Sequence, residues 1–200
     1  MSHASFRSER LHRRGFLRAL LVSVLVPRSA EAQEAEVVPL ELQAQLLQKV
    51  VRYDQNFPRR AAGRVRTLIL TDPERPDSVR AGQTARSLLG ELAEIGGLSH
   101  EEHVVAYSDA PSVRRAVDSG RATIVYVMRG LGKRVRDIAL ALNGADVLSV
   151  AAVPTHVPEG IVLGFDLVSS QAKLLLNLTS AQRQKIAFQA QALKLMKVYR

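Results

Sequence analysis

The 200-residue sequence has no cysteine and no tryptophan, and its aromatic side chains are limited to four tyrosines and five phenylalanines. Without cysteine there is no thiol nucleophile, no iron–sulfur cluster and no cysteine-ligated zinc. A domain of this size folds on its core without disulfides, even in an oxidising compartment. Few aromatics argue against a cage for a carbohydrate or an aromatic ligand. No Gly-x-Ser-x-Gly elbow occurs, and no Ser/His/Asp order suggests a nucleophile. No complete glycine-rich phosphate loop occurs either, so neither a catalytic residue nor a cofactor is expected.

The first 32 residues read as an export signal. Arg7, Arg10, Arg13 and Arg14 form a basic start, Ala19 to Val26 a short apolar core, and Ala30-Glu31-Ala32 a small-residue cleavage site. The apolar core is far shorter than the roughly 20 residues a spanning helix needs. Arg13-Arg14-Gly15-Phe16-Leu17-Arg18 fits the twin-arginine export pattern, the alternative being the basic start of a general secretory signal. The mature chain is therefore expected in the periplasm. Six of the 28 basic and two of the 19 acidic residues lie in the signal, so the net charge falls from +9 to +5. That excess is scattered rather than striped, which sets nucleic acid aside and leaves an acidic partner or membrane surface open.

Residues 33–38 read as a flexible leader, and residues 39–200 as one domain. Leu42, Leu46, Val50, Tyr53 and Phe57 recur at helical spacing after Pro39, and Pro58 ends the run. Tyr53 and Phe57 read as core, with a partner-binding aromatic patch as the alternative. Strand candidates follow at Arg64–Thr71, Val104–Tyr107, Thr123–Met128 and Val147–Val153, alternating with helical stripes. The first stripe is Ala81 to Ile95, ended by Gly96-Gly97. The second carries Val113, Ala116 and Val117, and the third Val135, Ile138, Ala139 and Leu142. Ile161 to Leu167 and Lys173 to Leu178 form a hairpin around Ser169-Ser170, with Thr179 or Ser180 capping a short helix. Leu193, Met196 and Val198 beside Lys194, Lys197 and Arg200 predict a basic amphipathic terminal helix. The alternation predicts an α/β fold: a single domain with a mainly parallel sheet, helices on both faces and an antiparallel C-terminal hairpin at one edge.

Two polar clusters invite chemistry. Gly130, Gly132 and Lys133 lie between a strand and a helix, where α/β folds bind anions, yet the spacing is that of a plain turn. His100-Glu101-Glu102-His103 packs four ligand-type residues together, but its histidines are three apart and no third ligand is near, so a solvated loop with no metal is expected. His156 lies in a Pro-flanked loop and reads as a candidate for exposure.

Val147-Leu148-Ser149-Val150, Glu159-Gly160-Ile161 leading to Phe165, and Leu176-Asn177-Leu178-Thr179-Ser180-Ala181 follow one another in an order that resembles the YfiR/HmsC-like periplasmic proteins. Ala192-Leu193-Lys194-Leu195-Met196-Lys197-Val198 closes it, and Phe57-Pro58 resembles the end of the family's first helix. The chain departs from the pattern in lacking paired glycines before Ile161 and in having Lys185-Ile186 for a Gly-Leu. The resemblance implies a non-enzymatic repressor that binds the periplasmic domain of an inner-membrane diguanylate cyclase. It would thereby control cyclic di-GMP and biofilm formation. It also implies sequestration by an outer-membrane lipoprotein, and a homodimer. The expected docking surface is the hairpin and its approach, through Val157, Ile161, Leu163 and Phe165, with Leu193 and Met196 of the terminal helix as a second candidate. A periplasmic module binding a small anion at Gly130, Gly132 and Lys133 is the alternative function, and an exported hydrolase ranks below it.

Overall fold

In the computed structural model, residues 38–200 are described, and the expected signal and most of the expected leader precede them. Seven strands among these residues form one sheet in the order β2-β1-β3-β4-β5-β6-β7. They are β1 (Arg64–Thr71), β2 (Ser99–Ala106), β3 (Ile124–Val127), β4 (Leu148–Ala151), β5 (Leu163–Val168), β6 (Gln171–Asn177) and β7 (Met196–Tyr199). Strands β1 to β5 run parallel, β6 returns antiparallel to β5, and β7 runs parallel to β6. The fold is the α/β domain expected, with the strand order of a doubly wound sheet.

The strands' period of two sorts side chains into two cores. Val65 and Ile69 of β1, Ile124 and Tyr126 of β3, Leu148 and Val150 of β4, and Leu163 and Phe165 of β5 share one face. That face is covered by α1 (Leu40–Val50), α2 (Phe57–Ala61) and α3 (Pro76–Gly90). Leu68, Leu70, Val125, Val127 and Ala151 face the other side, under α4 (Ala110–Gly120) and α5 (Val135–Ala141). Burial on both faces explains why β3 reads as an unbroken apolar run and β4 as one interrupted only by Ser149. Gly164 keeps β5 close to its neighbour, because a Cβ there would lie 2.4 Å from Cγ2 of Val157.

Caps and turns set the element ends. Asp109 Oδ1 accepts from Ser112 N at 2.6 Å to start α4. Asn177, rather than Thr179 or Ser180, caps α6 (Leu178–Arg183), accepting from Ser180 N while its amide donates to Val157 O. The hairpin turns at Ser169 and Ser170, both at positive φ, as a two-residue turn between right-twisted strands requires. One buried network ties α1 to the sheet. The Tyr126 hydroxyl donates to Gln43 Oε1 at 2.5 Å, and Gln43 Nε2 donates to Val38 O and Ala152 O. Val38, placed by sequence at the end of the leader, is 1 % exposed.

Several local expectations change. The first helical stripe breaks into α1, a 3₁₀ turn at Val51–Tyr53 and α2, and Pro58 sits in the first turn of α2 instead of ending a helix. The His100-Glu101-Glu102-His103 segment belongs to β2, not to a loop. His100 Nδ1 lies 2.6 Å from Glu102 Oε1, its Nε2 lies 2.8 Å from Leu92 O, and both side chains are under 10 % exposed. The terminal amphipathic segment is not one helix. It is a single turn, α7 (Ala190–Leu193), followed by β7, so the hairpin is covered on its outer side and does not form the sheet edge.

Candidate docking surface

The C-terminal end of α1 and the last ten residues of the described chain meet across one corner of the sheet. Leu46, Lys49 and Val50 of α1, Tyr53 of the following turn, Leu174 of β6, and Ala192 and Leu195 line an apolar groove of about 90 Å³. Of the lining residues Tyr53 is 39 % and Leu195 69 % exposed, and Val198 of β7, three residues beyond Leu195, is 41 % exposed. Met196 is buried in the core under this face, and Val198, two residues on, projects to the same side. Strand β7 pairs only with β6, so its outer edge has no strand partner among the described residues. At about 90 Å³ the groove has space for about three waters and is well below the roughly 300 Å³ at which small-molecule pockets begin. A side chain from a protein partner fits that size.

A buried ion cluster holds the two walls in place. Asp54 accepts from Arg60 Nη1 at 2.6 Å, from Asn56 N and from Ala187 N, and the Asp54 and Arg60 side chains are 0 % and 2 % exposed. Arg60 Nε also donates to Asp146 at 2.8 Å, and Arg59 pairs with the same carboxylate. Burial pushes the Asp146 carboxyl up, but Arg60 and Arg59 outweigh it and hold the group below its usual range. Backbone bonds Gln55 N to Ala187 O and Gln189 N to Tyr53 O complete the clamp. Tyr53 on one wall and α7 on the other are thereby fixed relative to each other.

The charge around the groove is positive. Lys49 lines it, Lys194 directly precedes Leu195, Lys197 of β7 lies on the opposite face of the sheet, and all three are exposed. None of the three makes a salt bridge within the described residues. Lys197 stacks over the Tyr199 ring at 5.1 Å; a hydrogen bond to Tyr199 and the neighbouring Asp166 charge raise its pKa.

The residues singled out from sequence fall differently. Val157, Ile161, Leu163 and Phe165 are each 0 % exposed, which corrects the expectation of exposed apolar side chains on the hairpin. They are apolar because both faces of β5 and its approach are core, and β6 and β7 cover the side taken for an edge. Met196 is 8 % exposed and Leu193 partly buried against the same core, next to the groove. Phe57 is 1 % exposed, so of the two aromatics in the first stripe only Tyr53 reaches the surface. No local pattern marks Leu195, Leu174 or Lys49 as surface, and Val198, expected on a terminal helix, lies in β7.

Gly130, Gly132 and Lys133 form a turn between β3 and the seven-residue α5. Gly130 has φ +93°, and a Cβ there would lie 3.0 Å from Ser78 Cβ and 3.2 Å from Arg75 Cδ, so close packing on the start of α3 accounts for this glycine. His156, expected to be exposed, is 4 % exposed in a 3₁₀ turn, with its Nδ1 unbonded among the described residues. Burial pushes its pKa down to about 4. The unfolded chain, with His156 near its ordinary 6.5, then binds more protons between pH 6.5 and 4. The stabilisation is complete above pH 6.5 and is lost as pH falls toward 4, by up to about 3 kcal/mol. Urea unfolding at pH 7 and pH 4.5 should show a steeper loss for wild type than for His156→Leu; equal losses would refute this assignment.

Among the described residues no group of three or more His, Asp or Glu could hold a metal ion, and no helix is long and apolar enough to cross a membrane. The described residues thus form a doubly wound α/β domain with an apolar groove, lined by Lys49, beside the edge strand β7. The YfiR/HmsC-like family model matches residues 40–197, and the chain belongs to that family. Membership supports a periplasmic regulatory role at the level of the family. A comparison with curated proteins finds no match by sequence.

Solved structures share the fold. A conserved domain protein from Vibrio cholerae matches at TM-score 0.57 and 12 % identity over 81 % of this chain and 60 % of its own. An ABC domain in complex with L-Trp from Streptococcus pneumonia matches at TM-score 0.57 and 10 % identity over 80 % and 61 %. CD0873, a substrate-binding protein with adhesive properties from Clostridium difficile, matches at TM-score 0.53 and 10 % identity over 73 % and 58 %. This chain therefore spans about three fifths of the length of each.

Proposed function

We propose that the protein, exported by the signal in residues 1–32, binds the periplasmic domain of an inner-membrane diguanylate cyclase and holds it inactive. Cyclic di-GMP then stays low and biofilm formation is restrained until the protein is drawn away, an outer-membrane lipoprotein being the candidate sequestering partner. The single observation that carries the docking part is the apolar groove lined by Leu195, in the stretch that leads into β7, whose outer edge has no strand partner among the described residues. Family membership supports the regulatory part. Homodimerisation belongs to the same reading.

Such repression is a population shift and works only through preference for the inactive state. Moving a cyclase from 99 % active to 99 % inactive requires that preference to reach about 5.5 kcal/mol. Affinity-purification of residues 33–200 from the native host's membranes, followed by mass spectrometry, tests the reading. The expected result is recovery of a membrane protein carrying a periplasmic sensor and a cytoplasmic cyclase domain, whose cyclase activity falls when the protein is added back. Recovery of a different membrane sensor, or of none, would remove the cyclic di-GMP link.

A further inference from the structure

We infer that the segment received by this surface is an extended strand of alternating apolar and acidic residues, added to the outer edge of β7 with an apolar side chain in the groove. The inference rests on the regulatory reading above and specifies the chemistry of the partner at the same surface.

An unpaired strand presents its outward N–H and C=O groups as a template for another chain. The sheet's two edges differ in how they are protected. Edge strand β2 has its charges engaged within the sheet: Arg66 and Arg64 pair with Glu101, and His100 with Glu102. Edge strand β7 instead carries Lys197 and is flanked by Lys194 and Arg200, with no salt bridge to any of them among the described residues.

The alternation along β7 fixes the complementary pattern. Met196 and Val198 point to the groove side, where Leu195, Tyr53 and Leu174 continue the apolar surface. Lys197 points to the opposite side. A strand laid beside β7 places its own side chains on the same two sides. Apolar residues then cover Val198 and enter the groove, and carboxylates at the intervening positions face Lys197. A further carboxylate at the groove end meets Lys49 and Lys194. A second copy of this chain on the same edge would set Lys194, Lys197 and Arg200 against their own counterparts, and like charges directly opposite are destabilising. Charge thus selects an acidic partner over a copy of the chain.

The test uses the mature chain and fluorescein-labelled seven-residue peptides of alternating Val and Glu, alternating Val and Lys, and alternating Val and Glu with every second backbone amide methylated in either register. Anisotropy should show the Val/Glu peptide binding with a dissociation constant below about 1 mM, the Val/Lys peptide at least about ten-fold weaker, and one of the two methylated registers weakened as much. The double variant Lys194→Glu, Lys197→Glu should reverse the charge preference while keeping the folded circular-dichroism spectrum. Failure of all peptides to bind, indifference to charge, or indifference to methylation in both registers overturns the inference. A doubled mass in light scattering that Leu195→Asp returns to the monomer value also overturns it, in favour of a second copy. If the double variant recovers the membrane cyclase as well as wild type does, the inference fails while the regulatory reading stands. If the Val/Glu peptide binds as described and no cyclase is recovered, the reverse holds.

Discussion

Replacing Asp54 with alanine is expected to cost about 3–5 kcal/mol of stability, because it leaves the buried Arg60 guanidinium without its closest partner. The backbone N–H groups of Asn56 and Ala187 lose their acceptor in the same step. For a domain of this size that corresponds to a fall of roughly 6–20 °C in thermal midpoint. The exposed Arg52–Glu94 pair is the control. It is as short, at 2.5 Å, but its side chains are 56 % and 47 % exposed, and Arg52→Ala should change stability by less than about 1 kcal/mol. Comparable effects of the two substitutions in urea unfolding would show that the cluster does not clamp the C-terminal segment. The cluster has a functional consequence too, since it sets Tyr53 and α7 on opposite walls of the groove.

The second large effect separates two hydrophobic residues that look alike in sequence. Phe165→Ala should lose about 3–5 kcal/mol, as expected for emptying a fully buried aromatic position between β5 and the α1 face. Leu195→Asp should stay within about 0.5 kcal/mol of wild-type stability, since that side chain is 69 % exposed. In partner binding the order reverses. Leu195→Asp should weaken recovery of the membrane partner about 30-fold, the loss of one anchoring side chain worth about 2 kcal/mol. A Phe165→Ala protein that remains folded at low temperature should still bind. Chemical denaturation alongside quantitative capture of the partner reads both quantities, and loss of binding in Phe165→Ala alone would return the docking surface to the hairpin.

These two residues also show where the sequence could be read and where it could not. The alternation Leu163, Phe165, Leu167 identified β5 and one of its buried faces, whereas Ile161, read in the same stripe, precedes the strand and packs in the opposite core. It said nothing about what lay beyond β6. The hairpin was expected at an edge because no further strand was evident, and so its apolar residues were assigned to a partner. Strand β7 is four residues long and is flanked by a single turn of helix. Over Leu193 to Tyr199 the helical and extended periods both fit, and the parallel pairing of Met196 with Leu174 settles the choice. Tyr53 and Phe57 make the same point at the other wall: four residues apart on one predicted stripe, they part because the helix breaks at Val51 and restarts at Phe57.

By itself the sequence determined the α/β class, the order of elements up to β6, both faces of the sheet and the family resemblance. Each of these follows from local periodicity, caps and turn residues, which act over a few positions. Only the tertiary structure decided which apolar residues are core and which are surface at the C-terminal corner, where the sheet ends, and that Asp54, Arg60 and Asp146 form one buried cluster. Those outcomes depend on contacts between segments as far apart as residues 54 and 187, and no local pattern encodes what a distant strand will cover.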